Sequence, residues 1–387
     1  MRTIAVVTGS RAEYGLLRPL IRLLDQDRDV QLQLIATGMH LSPEFGLTYR
    51  QIEQDGFSIA RKVEALLSSD TSAGVAKSMG VALIGFADVF TELAPDLVVV
   101  LGDRFEIFAA ASAAMIAKIP ITHLHGGEST EGLIDEPIRH SITKMSHLHF
   151  TATEDYRNRI IQLGEQPERV FNFGALGIDS IRQLKLLPKK IFEETLDFKL
   201  GKRNLLITFH PVTFEEATAE RQFGNLLHAL DELEDTHLLF TKGNADTDGR
   251  IINQMIDRYV ASHSYKAWAY TSLGQLRYLS ALQYMDGVIG NSSSGLIEAP
   301  SFKIGTINIG ERQRGRIKAE SVIDCESSEK AIRAALNELF SVSFQHRVKT
   351  VSNPYGEGGT TEKILGVIKT YPLEGILKKR FYDFDFA

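Results

Sequence analysis

The chain has 387 residues, 43% of them hydrophobic and 24% charged, a balance typical of a globular protein large enough for two domains. A formal net charge of −6 argues against nucleic acid or an anionic membrane as the partner, and the single cysteine, Cys325, excludes an intrachain disulfide. The first residues predict a strand and lack the apolar core of a signal peptide, so the sequence predicts a cytoplasmic protein.

Short apolar runs alternate with helix-length amphipathic segments along nearly the whole chain. This alternation predicts α/β architecture, with parallel sheets covered by helices on both faces. The runs lie at residues 3–8, 32–37, 97–101, 119–124, 147–152, 170–173, 204–209, 237–241, 266–270, 287–289, 306–309 and 322–323.

These strands are too many for one compact sheet, and a charged, proline-containing stretch at 180–203 separates two groups of them. We therefore predict two Rossmann-like domains, residues 1–180 and 181–361, facing a central cleft. The amphipathic C-terminal helix within 362–387 is predicted to pack back on the first domain. Ligands of such sheets bind beyond the carboxyl ends of the strands, so candidate site residues are sought there.

The first predicted strand ends in a glycine turn, residues 8–15, that carries Arg11. A cation at a helix start is unfavourable unless an anion binds there, so Arg11 is a candidate phosphate ligand. The turn lacks the Gly-x-Gly-x-x-Gly pattern, which disfavours a dinucleotide-dependent dehydrogenase. After the second strand, His40 is predicted either to contact the ligand or to cap a loop.

Carboxylates follow two later predicted strands of the first half. Asp103 and Arg104 follow one strand, and His125 and Glu128 follow the next; Asp135 starts a predicted helix a few residues further on. These groups form either structural ion pairs and helix caps or a cluster for acid/base chemistry. Clustered carboxylates raise one another's pKa toward working pH, which favours acid/base catalysis.

A metal site at His123, His125 and Glu128 is the alternative for this segment. Companion ligands at the usual spacings are not evident, so we predict no metal and no cofactor.

The second half contains a turn, Gly290–Gly295, between a short strand and a predicted helix. Its backbone N–H groups and the hydroxyls of Ser292 and Ser293 can bind phosphate at the positive end of a helix, or the serines can simply cap that helix. No lysine follows the second glycine, so the turn is not a Walker A loop. Glu298, one turn further on, can accept hydrogen bonds from a ribose diol.

Three more polar residues follow strands of the second half. His210 ends its first strand, Asn244 lies in a polar turn after the next, and Arg312 belongs to an arginine-rich loop beside the phosphate-binding turn. We predict that at least one arginine of this loop contacts phosphate.

Taken as a set, these motifs resemble the hydrolysing UDP-N-acetylglucosamine 2-epimerases of sialic acid biosynthesis. The resemblance covers nearly the whole chain and implies a GT-B-type pair of Rossmann domains, release of UDP and inversion at C2 of the sugar. The motifs that carry it lie at residues 8–15, 101–104, 125–128, 134–140, 210–211, 290–295 and 310–313.

The resemblance also implies roles for individual residues. Asp103, Asp135 and His210 match catalytic positions, with Glu128 or His125 supplying a further acid. The residues implied to bind the UDP-sugar are Arg11, His40, Arg104, Asn244, Ser292, Ser293, Glu298 and Arg312.

One position departs from the pattern of many relatives, which carry glutamate where this chain has His125. Either Glu128 or His125 therefore takes over that acid, or the role is dispensable. A substrate other than UDP-N-acetylglucosamine, namely UDP-N,N′-diacetylbacillosamine, is the alternative for the same reaction. A GT-B glycosyltransferase and a non-catalytic UDP-sugar sensor are further alternatives, and the resemblance implies a homodimer or homotetramer.

Overall fold

The computed structural model describes residues 1–67, 71–129, 134–210, 219–242, 247–271 and 273–384. The chain divides into two compact units, residues 1–180 with 355–387 and residues 181–354. Each is an α/β unit built on one parallel sheet, as the alternation of strands and helices predicted.

Seven strands form the sheet of the first unit, in the order β3-β2-β1-β4-β5-β6-β7. The strands are β1 (Arg2–Thr8), β2 (Val30–Thr37), β3 (Ile59–Val63), β4 (Leu97–Leu101), β5 (Ile121–Leu124), β6 (Leu148–Thr151) and β7 (Val170–Asn172). The helices are α1 (Arg11–Gln26), α2 (Tyr49–Gln54), α3 (Ser72–Leu93), α4 (Phe105–Ile116), α5 (Asp135–Met145), α6 (Glu154–Gln162) and α7 (Leu176–Gln183), which runs across the division between the units.

Six strands form the sheet of the second unit, in the order β10-β9-β8-β11-β12-β13. Its elements are α8 (Lys189–Leu196), β8 (Arg203–Thr208), α9 (Ala219–Asp231), β9 (Thr236–Thr241), α10 (Thr247–Ser262), β10 (Ala267–Tyr270), α11 (Gly274–Leu282), β11 (Gly287–Gly290), α12 (Ser294–Ile297), β12 (Gly305–Ile309), β13 (Val322–Cys325), α13 (Glu329–Leu339) and α14 (Val342–Thr350).

The last helix, α15 (Thr360–Thr370), belongs to the first unit. Its Ile364 and Ile368 are buried in the same hydrophobic cluster as residues of α1 and β1. Its first two N–H groups, of Thr360 and Thr361, donate to the carboxylate of Asp179 at 3.0 and 2.6 Å. Because both core packing and a capping carboxylate hold α15, the return of the chain is part of the first unit's structure.

Each predicted apolar run contains a strand, but β3 was missed. It lies at the edge of the first sheet, where Arg61 is half-buried and Lys62 is exposed. An edge strand is solvated on one side, so it lacks the continuous apolar signal of the central strands.

Among the described residues, α3 is long and apolar enough to cross a membrane by length and composition alone. Buried residues of α3 such as Phe86 and Phe90 pack in a core cluster with α4, as expected for a core helix of a globular domain.

In each sheet, successive strands are added first on one side of the first strand and then on its other side. In the first sheet the change lies between β1 and β4, and in the second between β8 and β11. At such a switch point the loops leave in opposite directions and open a crevice at the carboxyl ends of the strands. Most of the predicted site residues follow one of these four strands.

Candidate functional site

Asp103 follows β4 and forms an ion pair with Arg139 of α5. Arg139 is buried, and it also donates to the Glu136 carboxylate at 3.2 Å and to the Glu128 carbonyl oxygen at 2.9 Å. One guanidinium therefore connects Asp103 to α5 and to the turn after β5. The sequence shows Arg139 but does not reveal this role, because the contact joins residues distant in the chain.

Asp135 is the first residue of α5 and lies half-buried. Burial raises the pKa of its carboxyl above the ordinary value, the positive charge of Arg104 lowers it, and the negative charge of Glu106 raises it further. No hydrogen bond or ion pair holds this carboxylate within the described part of the chain. A half-buried, unpaired carboxylate with a raised pKa is a candidate for proton exchange with a ligand.

A second carboxylate pair, which the sequence analysis did not single out, lies beneath the loops after β1 and β2. Glu106 is fully buried, and a Cβ added at Gly9 would lie 2.6 Å from its Oε1, so any larger residue would displace the Glu106 side chain. Glu13 accepts from the N–H groups of Gly9 and Ser10 at 2.6 and 3.1 Å. Burial, followed by the charge of Glu106, raises the pKa of Glu13 to about 8.

Arg104, a predicted UDP-sugar ligand, is held by this pair. Its Nε donates to Glu106 Oε1 at 2.6 Å and lies 3.9 Å from Glu13 Oε1. The guanidinium remains about one-third exposed, so it is fixed on one side and open on the other. This arrangement suits a cation that stabilises a second anion, since Glu106 holds it in a single orientation.

His40 was predicted either to contact the UDP-sugar or to cap a loop, and the structure shows its ring bonded to two threonines. Its side chain is fully buried, and its ring nitrogens lie 3.0 Å from Thr8 Oγ1 and 2.8 Å from Thr48 Oγ1. Burial lowers its pKa to about 4, so the ring is neutral at neutral pH. His40 therefore ties the end of β2 to β1, which is the loop-capping alternative.

Both ring nitrogens of His125 are occupied. Nδ1 lies 3.0 Å from Glu128 Oε1, and Nε2 accepts the backbone N–H of Leu176 at 3.2 Å. Because a backbone N–H is always the donor, Nε2 carries no proton, and the ring proton lies on Nδ1 facing Glu128. The backbone of His125 has φ +61°, a left-handed conformation that histidine tolerates better than most residues.

His123 lies against this turn, since a Cβ built at Gly126 would be 2.9 Å from its Nδ1. Its nitrogens lie 3.1 Å from Thr143 Oγ1 and 2.8 Å from the Gly102 carbonyl oxygen, and burial lowers its pKa to about 3. In the described ranges no group of three or more histidine, cysteine or carboxylate side chains could hold a metal ion. His123 is thus engaged in packing, and the absence of a metal and a cofactor stays a prediction.

Arg11 is the first residue of α1, and its side chain is exposed. Ser10 and Glu13 already cap the N-terminus of α1. The Ser10 hydroxyl accepts the backbone N–H of Glu13, and the Glu13 carboxylate accepts the backbone N–H of Ser10. Arg11 therefore has no capping role, and within the described residues its guanidinium has no carboxylate partner.

In the second unit, the end of β11 packs tightly against β8. A Cβ at Gly290 would lie 1.9 Å from the Thr208 carbonyl oxygen, which excludes any other residue. Asn291 then joins the two strand ends: it accepts the His210 N–H at 2.7 Å and donates to the His210 carbonyl oxygen at 2.8 Å. Asn291 was not singled out from the sequence, although it lies within the predicted phosphate-binding turn.

The helix predicted to follow this turn, α12, is only four residues long. Such a short helix has little dipole, so phosphate binding here would depend on individual N–H and O–H groups rather than on the helix as a whole. Ser293 occupies the position before α12 but makes no side-chain capping bond, and Ser292 Oγ accepts only a long bond of 3.4 Å from the Ser294 N–H. The serine hydroxyls are thus not used as caps.

Arg312 lies beside this turn, and its Nη1 donates to the Asn291 carbonyl oxygen at 3.0 Å. Burial, followed by the charge of Arg316, lowers the pKa of Arg312, and burial followed by Arg312 lowers the pKa of His210 to about 4. No carboxylate within the described residues pairs with Arg312. Asn291 thus joins the backbone of His210 to the loop of Arg312, and the positive charge of this region favours an anion.

Glu298, the predicted ribose ligand, ends α12. Burial raises the pKa of its carboxyl, and a hydrogen bond with Ser294 lowers it. Ser294 Oγ in turn accepts from Tyr278 Oη at 2.7 Å, so Tyr278 and Ser294 fix the carboxyl. Asn244, the predicted sugar ligand, lies outside the described residues.

Comparisons with known proteins identify the family of the chain. The profile of the UDP-N-acetylglucosamine 2-epimerase family matches residues 22–369. The GDP/UDP-N,N′-diacetylbacillosamine 2-epimerase (hydrolyzing) of Campylobacter jejuni is 44% identical over 383 residues, covering 99% of both chains. The UDP-N,N′-diacetylbacillosamine 2-epimerase (hydrolyzing) of Legionella pneumophila is 38% identical, covering 98% of this chain and 99% of its own.

Among solved structures, the UDP-GlcNAc 2-epimerase of Neisseria meningitidis bound to UDP-GlcNAc has the same fold. Its TM-score is 0.82 at 19% identity, with 95% of this chain and 99% of that chain covered. The two parallel sheets and the family match define the class of protein, an enzyme that acts on a nucleotide sugar. The chain belongs to the hydrolysing UDP-N-acetylglucosamine 2-epimerase family, as its motifs predicted.

Proposed function

We propose that this protein is the hydrolysing 2-epimerase of UDP-N,N′-diacetylbacillosamine, releasing UDP and the free 2-epimer of the sugar. The relatives described above, at 44% and 38% identity over nearly the full chain, carry that substrate in their names. They support the alternative substrate rather than UDP-N-acetylglucosamine, which the sequence analysis placed first. Both substrates lead to nine-carbon sugar acids of the sialic acid type, so the proposed pathway class is the same.

The observation that carries UDP binding is the unpaired cation in the second unit. Arg312 has no carboxylate partner in the described structure, and the hydroxyls of Ser292 and Ser293 lie in the adjoining turn. A diphosphate supplies the missing negative charge, and charge-assisted hydrogen bonds to it are the strong kind. Glu298 binds the ribose hydroxyls, and Arg11 and Arg104 remain proposed ligands from the first unit.

The first unit supplies the proton transfers in this proposal. Asp135 removes the C2 proton while the C1–O bond breaks and UDP leaves with the electron pair, giving an unsaturated sugar. Water then adds to C1, and a proton is delivered to C2 on the opposite face. Glu128, oriented by His125, is the proposed acid. The ion pair between Asp103 and Arg139 holds the end of β4 against α5.

His210 is proposed to act on the leaving group. Its lowered pKa keeps the ring neutral at neutral pH, so it does not add a third charge beside Arg312 and Arg316. A neutral ring can donate one hydrogen bond to a departing phosphate oxygen without trapping the product UDP.

Arg312→Ala should weaken UDP binding about tenfold or more, because it removes a charge-assisted hydrogen bond of about 1.5–3 kcal/mol. Titration calorimetry with UDP measures this effect. Arg314→Ala is the matched control, since Arg314 lies in the same loop but pairs with Glu311 at 2.8 Å. Unchanged UDP affinity in Arg312→Ala would remove Arg312 from the site.

The substrate is tested with a small panel of UDP-sugars and mass spectrometry of the products. We expect UDP and a free 2-epimerised diacetamido sugar to appear fastest from UDP-N,N′-diacetylbacillosamine, with no acceptor present. Faster turnover of UDP-N-acetylglucosamine would restore the first substrate. Sugar transfer that requires an acceptor would identify a glycosyltransferase, and UDP binding without turnover of any panel member would identify a sensor.

A further inference from the structure

Glu13 and Glu106 form a buried carboxyl pair that the proposed proton transfers do not use. Glu13 Oε2 accepts the N–H groups of Gly9 and Ser10. Glu106 Oε1 accepts the Nε–H of Arg104. The other two oxygens, Glu13 Oε1 and Glu106 Oε2, have no hydrogen-bond partner among the described residues. A bare buried acceptor is costly, so one of these oxygens is a natural place for a proton.

Arg104 is the cation that lies close to both carboxyls. Its Nε is 2.6 Å from Glu106 Oε1 and 3.9 Å from Glu13 Oε1. If both carboxyls were ionised, one buried negative charge would stay unbalanced, which is costly unless the group takes up a proton. Burial, followed by the charge of Glu106, raises the pKa of Glu13 to about 8, so Glu13 carries the proton at neutral pH. Its place is Oε1, because Oε2 already accepts two backbone N–H groups.

The surroundings of the pair are tightly packed. A Cβ built at Gly38 would lie 2.8 Å from Glu106 Oε1. His40, which also lies in the field of Arg104, is neutral at neutral pH because burial lowers its pKa to about 4. Asp135, at the start of α5, interacts electrostatically with both Arg104 and Glu106. The protonation state of the carboxyl pair therefore sets the charge beside Arg104.

We propose that Glu13 and Glu106 are a positioning pair that shares one proton, and that this proton leaves Arg104 available to the anionic ligand. The pair then carries one negative charge, which orients the guanidinium while about one-third of the Arg104 side chain stays exposed. Loss of the proton adds a second negative charge, which competes with the ligand for Arg104. This role rests on the proposed function, in which Arg104 contacts the UDP-sugar. Binding should therefore weaken as the pH rises through about 8.

Titration calorimetry of the full chain with UDP, repeated across this pH range, tests the role of the pair. Wild-type affinity should fall at least about fivefold from about pH 7 to about pH 9, the effect of one like charge roughly 10 Å from the diphosphate at an effective dielectric constant of about 20. Glu13→Gln should remove this dependence, because its amide oxygen accepts both backbone N–H groups and its NH2 group takes the place of the protonated Oε1. Glu154→Gln is the matched control and should keep the wild-type dependence, since Glu154 also begins a helix but is exposed.

The proton itself can be measured without a ligand by carbon-13 NMR of protein labelled at the glutamate side-chain carboxyls. The resonance that Glu13→Gln removes should titrate near pH 8 rather than at the ordinary pH of a glutamate. Glu106→Gln should move that titration to lower pH, because it removes the negative charge that helps Glu13 retain its proton. Circular dichroism and the melting temperature check that each variant is folded.

The two measurements separate the possible failures. A Glu13 resonance that titrates at the ordinary pH of a glutamate, or one that a folded Glu106→Gln does not move, would overturn the shared proton. Wild-type UDP affinity that stays constant over this pH range, or that falls equally in Glu13→Gln, would overturn the role of the pair and leave the proposed function intact. Failure to bind UDP at any pH would refute the proposed function and the role of the pair together.

Discussion

Asp135→Asn should lower turnover at least about 100-fold while UDP still binds, since a positioned general base typically contributes about 10²–10⁴-fold. The carboxylate is half-buried, and within the described structure it is free of hydrogen bonds and ion pairs, so asparagine can replace it without breaking a structural contact. Asparagine keeps the shape but cannot accept the C2 proton.

The pH dependence of turnover should also show whether Asp135 is the base. The pKa of Asp135 lies above its ordinary value because of burial and the negative charge of Glu106. A base must be ionised, so wild-type turnover should fall as the pH falls through that raised pKa. In Asp135→Asn this acid limb of the profile should disappear.

Three measurements decide the role of Asp135: initial rates of UDP release, calorimetry with UDP, and deuterium at C2 of product formed in heavy water. Asp155→Asn is the matched control, since Asp155 also begins a helix but is exposed. Near wild-type turnover of Asp135→Asn, with deuterium incorporated at C2, would show that the base lies elsewhere. Asp103→Asn should lose as much activity, but its pair with Arg139 makes the melting temperature a necessary companion measurement.

His125→Gln should lower turnover about 10–100-fold, whereas His125→Asn should retain most of it; the range corresponds to one hydrogen bond to a charged group. The amide nitrogen of asparagine occupies the place of Nδ1 and can still donate to Glu128. The amide of glutamine occupies the place of Nε2 and can accept the Leu176 N–H, but it removes the hydrogen bond that Nδ1 makes with Glu128. Asparagine also tolerates the left-handed backbone at this position.

The pH profile separates positioning from direct proton transfer. A donor to an ionised carboxylate lowers its pKa, so His125→Gln should move the limb that belongs to Glu128 toward higher pH, and His125→Asn should leave it in place. Glu128→Gln identifies that limb by abolishing it. If His125 itself exchanges the proton, both His125 variants should instead fall as far as Glu128→Gln, and neither should shift the limb that remains.

The positions of the predicted site residues along the chain follow from local pattern. An apolar strand followed by glycine, a carboxylate or a cation indicates a strand end, and parallel strands bring their ends to one edge. Asp103, His125, His210 and Ser292 were therefore placed correctly at the carboxyl edges of their sheets. Their chemical roles required the family resemblance, and they stay proposals until tested.

The residues that sequence reasoning missed act through contacts distant in the chain. Glu106 lies on α4 like any helix-start acid, and only the packing of Gly9 and Gly38 against it shows that it is buried. Arg139 reads as a helical surface residue until its pair with Asp103 is known. For His40 the sequence left two alternatives open, because it cannot distinguish a strand-end histidine that faces a ligand from one whose ring bonds to neighbouring threonines, as the structure shows.

The placement of α15 has a consequence for how the protein is made. Residues 181–354 form an uninterrupted unit that leaves the ribosome whole, whereas the first unit lacks Ile364, Ile368 and the helix capped by Asp179 until the following residues emerge. Domains generally fold as units during synthesis. The first unit begins to be synthesised first but should therefore be the last to reach its final stability. The apolar side of α1 stays partly uncovered until α15 has been synthesised.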